Sequence, residues 1–166
     1  MRKLPVLAFG GLAMATVAAF FIIQHLKVTT PLITAVQTPF PTVIDPLGGG
    51  TCLAKRPDGV HGPVNFTRTS LSFSLLHQSD EVYVYVADRS GKTVATLASG
   101  LFMRAVPGLT RTFTWAGREQ GGRPAAPGSY YVKVVLRRQA RTIDITNSTG
   151  ALAWIKVSRT SPCTAA

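Results

Sequence analysis

The sequence predicts an all-β fold, a sandwich of about seven strands, preceded by one N-terminal transmembrane helix. Short segments alternate apolar and polar residues, and turns that contain Gly or Pro separate them at near-regular intervals. No long amphipathic helical pattern follows residue 27. The helix is predicted because one uncharged, strongly apolar stretch stands near the N-terminus.

The period-two segments are concentrated in the second half of the chain. Val82, Val84 and Val86 alternate with tyrosines, and a turn at 89–92 follows, which predicts a β-hairpin. Other segments with the same period are Leu71–Leu75, Phe113–Trp115, Tyr130–Leu136, Ile143–Ile145 and Ala153–Val157. Residues 51–166 are long enough to bury one core of this kind.

The apolar stretch runs from Leu4 to Ile23, directly after Arg2 and Lys3. As a helix it spans about 30 Å, the thickness of a bilayer's hydrocarbon core. The preceding cations favour a cytoplasmic N-terminus and an extracytoplasmic domain. We therefore predict an uncleaved signal anchor in residues 1–27. A cleaved signal peptide and a secreted product stay open as the alternative, although the bulky residues 20–23 disfavour cleavage there.

Small residues share one face of this predicted helix, since Gly11, Ala15 and Ala19 are spaced by four. Such a face permits a helix-mediated homodimer, although small residues are common in membrane helices in any case. Residues 28–50 contain several prolines and end in Gly48–Gly50, which predicts an extended linker with a glycine swivel. An edge strand at Ile33–Val36 is the alternative for part of it.

No constellation of residues predicts catalysis. Asp80 and Glu81 are adjacent, so on a strand they point to opposite faces rather than forming an acid–base pair. The histidines and cysteines lack metal-ligand spacing, and neither a phosphate loop nor G-x-S-x-G occurs. We expect no enzyme, no cofactor and no metal site. The net charge of +11 is spread along the chain, which favours a solvated basic surface over a nucleic-acid partner.

Residues 81–137 carry a recognisable order of motifs: V-Y-V-Y-V, D-x-x-G-K-x-V-x-x-L, F-T-W-x-G and A-P-G-x-Y-Y-V-K-V. The order and spacing resemble the FlgD-type Ig-like domain, first described in the flagellar hook-capping protein, over about residues 70–157. Ala116 departs from the acidic residue that usually follows the Trp. The resemblance implies an Ig-like sandwich appended to an extracytoplasmic protein and no catalytic residues. The matching positions are Val82, Val84, Asp88, Gly91, Val94, Leu97, Phe113, Trp115, Gly117, Gly121, Pro127, Gly128, Tyr130 and Val134.

An Ig-like sandwich also bears on the cysteines and the core. Its first and last strands can lie close together, so the resemblance implies a disulfide between Cys52 and Cys163 in an oxidising exterior. Two unpaired thiols, or a bond to another chain, are the alternatives. Trp115, Gly128 and Tyr130 are predicted to be structural, with both aromatic rings in the core.

In such a sandwich, three of the predicted strands share one sheet. Their outward positions then form a face of aromatics and cations, and these are the partner-binding candidates: Tyr83, Tyr85, Tyr131, Lys133, Trp154 and Lys156. Cross-strand aromatic pairs also stabilise sheets without any partner, which is the alternative.

These observations together predict a membrane-anchored extracytoplasmic module with a structural or protein-binding role in the bacterial cell envelope. One alternative is a module that binds a polyanion or an envelope glycan, whose affinity would fall steeply with salt. The other is a pilin-like filament subunit. The absence of any acidic residue before Asp45 counts against it, because pilin helices begin near a Glu.

Overall fold

A computed structural model describes residues 14–21, 31–160 and 163 of this chain. The chain divides into two compact units, Met1–Leu32 and Ile33–Ala166. In the first unit a helix covers residues 14–21. Within the described residues, no helix is both long and apolar enough to cross a membrane. Most of the predicted anchor, including Gly11 of the small-residue face, lies outside the described residues, so anchor and homodimer stay predictions.

The second unit is built from β-strands, as the sequence predicts, with eleven in its described part rather than about seven. They are β1 (Ile33–Phe40), β2 (Val43–Ile44), β3 (Thr51–Lys55), β4 (His61–Asn65), β5 (Thr69–Leu75), β6 (Asp80–Asp88), β7 (Thr93–Met103), β8 (Arg111–Trp115), β9 (Gly128–Leu136), β10 (Arg141–Asp144) and β11 (Ile155–Val157).

Two sheets form the body of this unit. The small sheet has the order β1-β5-β8, and the large sheet has the order β2-β11-β9-β6-β7, with β10 also paired to β9. Strands β3 and β4 form a separate hairpin. Phe73 of the small sheet and Val84 and Val132 of the large sheet are each 0% exposed. The core therefore lies between the two sheets, which is the arrangement of a β-sandwich.

Residues 33–44 are strands and not the predicted linker. β1 pairs antiparallel with β5, and β2 pairs parallel with β11, so this segment contributes to both sheets. The alternative edge strand at Ile33–Val36 is what the structure contains, extended to Phe40. Pro39 is tolerated because β1 is an edge strand of the small sheet. Ile44 of β2 is completely buried, and this burial favours a paired strand over an exposed linker.

The glycines at 48–50 are held in place and do not form a swivel. The Gly49 N–H donates to the Asp45 carbonyl oxygen at 2.9 Å, and the Phe66 N–H donates to the Gly50 carbonyl oxygen at 2.9 Å. A Cβ added at Gly49 would lie 2.5 Å from that Asp45 oxygen. Glycine is required at this position because the backbones approach too closely for any side chain.

A disulfide joins Cys52 of β3 to Cys163, which confirms the predicted pair. The two Cα atoms are 5.7 Å apart, within the range that a disulfide requires. The bond closes a loop with a sequence separation of 111 and ties the β3–β4 hairpin to the end of the domain.

Candidate partner-binding face

The predicted partner-binding residues lie together on the outer surface of the large sheet. In the register of β6 and β9, Tyr85 is opposite Lys133, and Ala87 is opposite Tyr131. In the register of β11 and β9, Lys156 is opposite Ser129. Since side chains alternate between the two faces of a strand, these positions share the face that points away from the core. We call it the aromatic face: Tyr83, Tyr85, Tyr131, Lys133, Trp154 and Lys156.

The aromatic rings of this face form two pairs. Tyr83 and Tyr85 are stacked with ring centroids 6.4 Å apart, and Tyr131 and Trp154 meet edge to face at 5.6 Å. Lys133 connects the pairs, since it is the register partner of Tyr85 and its Nζ lies 5.8 Å from the Tyr131 ring centroid. The arrangement is one continuous surface rather than scattered rings.

Exposure differs along the face and corrects one expectation. Tyr131 was expected to be open to solvent, but only 8% of it is exposed. The Trp154 ring packs against it, and the Lys133 ammonium lies near its ring. Trp154 itself is 40% exposed. A partner would therefore meet Trp154 and the exposed Lys156 first, with Tyr131 supporting them from beneath.

Arg89 belongs to this surface, although the sequence did not indicate it. Its guanidinium carbon lies 5.9 Å from the Trp154 ring centroid, and its Nη2 donates to Ser129 Oγ at 3.1 Å. The preceding Asp88 accepts hydrogen bonds from the N–H groups of Ser90 and Lys92, which holds the β6–β7 turn in shape. The hydrogen bond from the Ser90 hydroxyl, helped by these N–H groups, holds the pKa of Asp88 below its ordinary value. The β6–β7 turn, held by Asp88, thus places the Arg89 guanidinium beside the exposed Trp154 indole.

At the other end of the aromatic face, the charge of the Glu81 carboxylate is balanced by Arg137. It accepts hydrogen bonds from the Tyr83 hydroxyl at 2.8 Å and from Arg137 Nη1 at 2.9 Å. The Tyr83 bond first, and then Arg137, lower the pKa of Glu81 against the opposing effect of burial. The same hydrogen bond raises the pKa of Tyr83. Because the carboxylate is already paired, the face keeps a positive character.

Phe102 extends the aromatic face and was also missed. It is the register partner of Glu81, is 50% exposed, and lies 5.4 Å from the Arg138 guanidinium carbon. The pairing of β6 and β7 contains register shifts between Val82 and Ala87. Residues 97–103 of β7 do not alternate apolar and polar side chains, so the sequence pattern could not assign Phe102 to a face.

The predicted structural residues are placed as follows. Trp115 is 2% exposed and Tyr130 is 6% exposed, and both lie in the core. Gly128 begins β9 and is exposed, and an added Cβ would come no closer than 3.7 Å to the Tyr130 ring. The structure therefore gives no steric reason for glycine at this position. Within the described part of the chain, no group of three or more His, Cys, Asp or Glu could hold a metal ion.

The comparisons with known proteins agree with the motif analysis. The family model of the FlgD Ig-like domain matches residues 64–140. This confirms the resemblance, with a match that begins before the predicted start at about residue 70 and ends before the predicted end at about residue 157. Such a domain is a structural or protein-interaction module. Both β3 and β11 lie outside the matched range, although β11 is part of the large sheet. No curated protein matches the chain.

Proposed function

We propose that this protein is an extracytoplasmic Ig-like module of the bacterial cell envelope. Its N-terminal segment anchors it in the membrane, and its aromatic face binds a protein partner. The similarity of residues 64–140 to the FlgD Ig-like domain supports a module without catalytic activity.

The main support for a domain outside the cytosol is the disulfide between Cys52 and Cys163. Disulfides persist in oxidising environments outside the cytosol and are rare within it. The uncharged stretch Leu4–Ile23 behind two cations supports an anchor with the domain outside, because positive residues stay on the cytoplasmic side. The disulfide and the N-terminal cations both favour a domain on the extracytoplasmic side of the membrane.

Trp154 is the main argument for a binding role. Packing within the domain accounts for the rings of Tyr83 and Tyr85, which stack along β6, and for Tyr131, which Trp154 covers. It does not account for an indole that is 40% exposed between Arg89 and Lys156. Trp and Arg are the residues most enriched at interface positions that dominate binding energy. A protein surface with an acidic rim would complement this face.

The compartment is tested with the full chain in its native membranes. We expect the protein to stay with membranes through alkaline carbonate and to retain Arg2, while protease added to spheroplasts degrades the domain. A soluble product that begins near Thr16 or Phe20 would show cleavage instead. Protection of the domain in intact spheroplasts would contradict the proposed orientation.

The binding role is tested by photo-crosslinking in intact cells. A crosslinking residue at Lys156 or Tyr85 should give a discrete protein adduct, whereas one at Leu53 should not. Leu53 is a matched control because it is 79% exposed but lies on the separate β3–β4 hairpin. Trp154→Ser should remove the adduct from Lys156, and Leu53→Ser should leave it. Adducts to polysaccharide alone would instead support the glycan-binding alternative.

A further inference from the structure

One end of the sandwich carries a second exposed surface, separate from the aromatic face. The loop 76–79 joins β5 to β6 there, and the loop 104–110 joins β7 to β8. The two loops touch, since the Ala105 N–H donates to Ser79 Oγ at 3.0 Å. Ile33, where β1 begins, is the register partner of Leu75 and so lies at the same end. We call loops 76–79 and 104–110 the proximal end.

Large aliphatic side chains project from these loops. Leu76 is 38% exposed, Val106 is 46% exposed and Leu109 is 40% exposed. Val106 and Leu109 are held in one turn, in which the Leu109 N–H donates to the Val106 carbonyl oxygen at 3.0 Å. Loop tips that face only water do not need large apolar residues, and clusters of them mark interaction sites.

Two arginines, Arg104 and Arg111, stand at the two ends of the loop that carries Val106 and Leu109. Arg104 and Arg111 are exposed and form no ion pair within the described residues. The nearby acids are already satisfied: Asp80 is completely buried and accepts backbone N–H bonds, and Glu81 pairs with Arg137. The proximal end therefore combines exposed aliphatic side chains with uncompensated positive charge.

We infer that the proximal end docks on an anionic phospholipid bilayer, the membrane that the N-terminal segment is proposed to span. The inference rests on the proposed function for the anchor. Aliphatic tips can enter the boundary between headgroups and acyl chains, while arginines meet the lipid phosphates. A soluble polyanion would not need the projecting aliphatic tips, and a protein occupant is an outcome that the test below distinguishes.

The length of the connecting chain supports this occupant. Residues 24–32 join the predicted anchor to Ile33, and they reach at most about 30–35 Å when fully extended. Strand β6 spans nine residues, so the sandwich is roughly 30 Å long. Because the connection enters the domain at Ile33, where β1 begins, it is long enough for the proximal end to meet a bilayer.

The test uses the full chain with a protease site inserted between Lys27 and Val28. The chain is reconstituted into vesicles of phosphatidylcholine alone or mixed with phosphatidylglycerol, and then cut. We expect the released domain to stay on the anionic vesicles at low salt and to leave them at high salt. It should leave the neutral vesicles at either salt concentration.

Variants show which surface binds. Arg104→Ser with Arg111→Ser should weaken binding to anionic vesicles roughly twenty- to thirty-fold, because each cation contributes about five-fold near such a surface. Val106→Ser with Leu109→Ser should weaken it at unchanged charge. Lys92→Ser with Arg123→Ser is the matched control: it removes the same charge at the opposite end and should leave binding unchanged. A far-UV circular dichroism spectrum of the released domain that matches the wild type shows that each variant is folded.

Every other outcome contradicts the inference. Complete release from both kinds of vesicle overturns docking, even if the uncut chain stays in the membrane. Equal loss in both arginine pairs shows diffuse charge attraction, and salt-insensitive retention on both lipids shows a different occupant. Extraction of the uncut chain by carbonate overturns the anchor itself, so the two proposals fail in distinguishable ways.

Discussion

Trp115 on β8 and Tyr130 on β9 meet edge to face between the two sheets, with ring centroids 5.1 Å apart. Trp115 Nε1–H donates to the Arg118 carbonyl oxygen at 2.8 Å, and the Tyr130 hydroxyl donates to the Ala126 carbonyl oxygen at 2.7 Å. Both acceptors belong to the segment that connects β8 to β9. The pair therefore joins the sheets and also holds their connection, with the polar atom of each ring satisfied.

Trp115→Ala should lower the free energy of unfolding by about 3–5 kcal/mol, because it removes a fully packed ring and leaves a cavity. Urea denaturation followed by circular dichroism measures the loss. Trp154→Ala is the control, since its ring is 40% exposed and should cost clearly less. Equal losses of unfolding free energy in the two variants would contradict the assignment of Trp115 to the core.

Removing the disulfide should destabilise the domain without changing its fold. In the variant with Cys52→Ser and Cys163→Ser, the loop with a sequence separation of 111 is no longer closed in the unfolded chain. Chain entropy sets an upper value of about 4–5 kcal/mol for the lost stability. The urea midpoint of this variant should match that of the reduced wild type. A midpoint equal to that of the oxidised wild type would show that the bond contributes nothing.

Asp80 should be important for stability. It is completely buried, and its carboxylate accepts hydrogen bonds from the N–H groups of Glu81, Arg138 and Gln139 at 2.7–3.1 Å. These bonds hold the turn between β9 and β10. Asp80→Asn should cost roughly 1.5–3 kcal/mol in unfolding free energy, because the acceptor loses its charge and an NH2 group replaces one of the two acceptor oxygens. The exposed Asp58→Asn should cost less than about 0.5 kcal/mol.

The pKa of the Glu81 carboxyl should rise in Tyr83→Phe, because the Tyr83 hydroxyl bond is the largest cause of its lowering. A carboxyl with a lowered folded-state pKa stabilises the fold above its unfolded pKa. That stabilisation is lost as pH falls through the folded pKa. NMR titration of Glu81 measures the shift directly. The stability difference between wild type and Tyr83→Phe should shrink in acid, and a difference that grows there would contradict this sign.

Much of the candidate site could be predicted because a strand places alternate residues on one face. That rule grouped Tyr83 with Tyr85 and Lys133 with Tyr131 before any pairing was known. It could not predict that Tyr131 is covered by Trp154, since Tyr131 lies on β9 and Trp154 lies just before β11, and the register of β9 with β11 is a tertiary property. Arg89 was missed for the same reason, because its contact with Trp154 joins distant parts of the chain.

The sequence by itself determined the β-rich class and the likeness to the FlgD Ig-like domain, because these depend on local period and motif order. It left the pairing of Cys52 and Cys163 as one of several possibilities, which the structure decided. Only the tertiary structure decided that β1 and β2 join opposite sheets and that Gly49 is fixed between backbones. It also decided that Phe102 lies opposite Glu81 on the outer face of the large sheet. These features depend on pairings between residues far apart in the chain, whose free energy comes from burial shared by both partners.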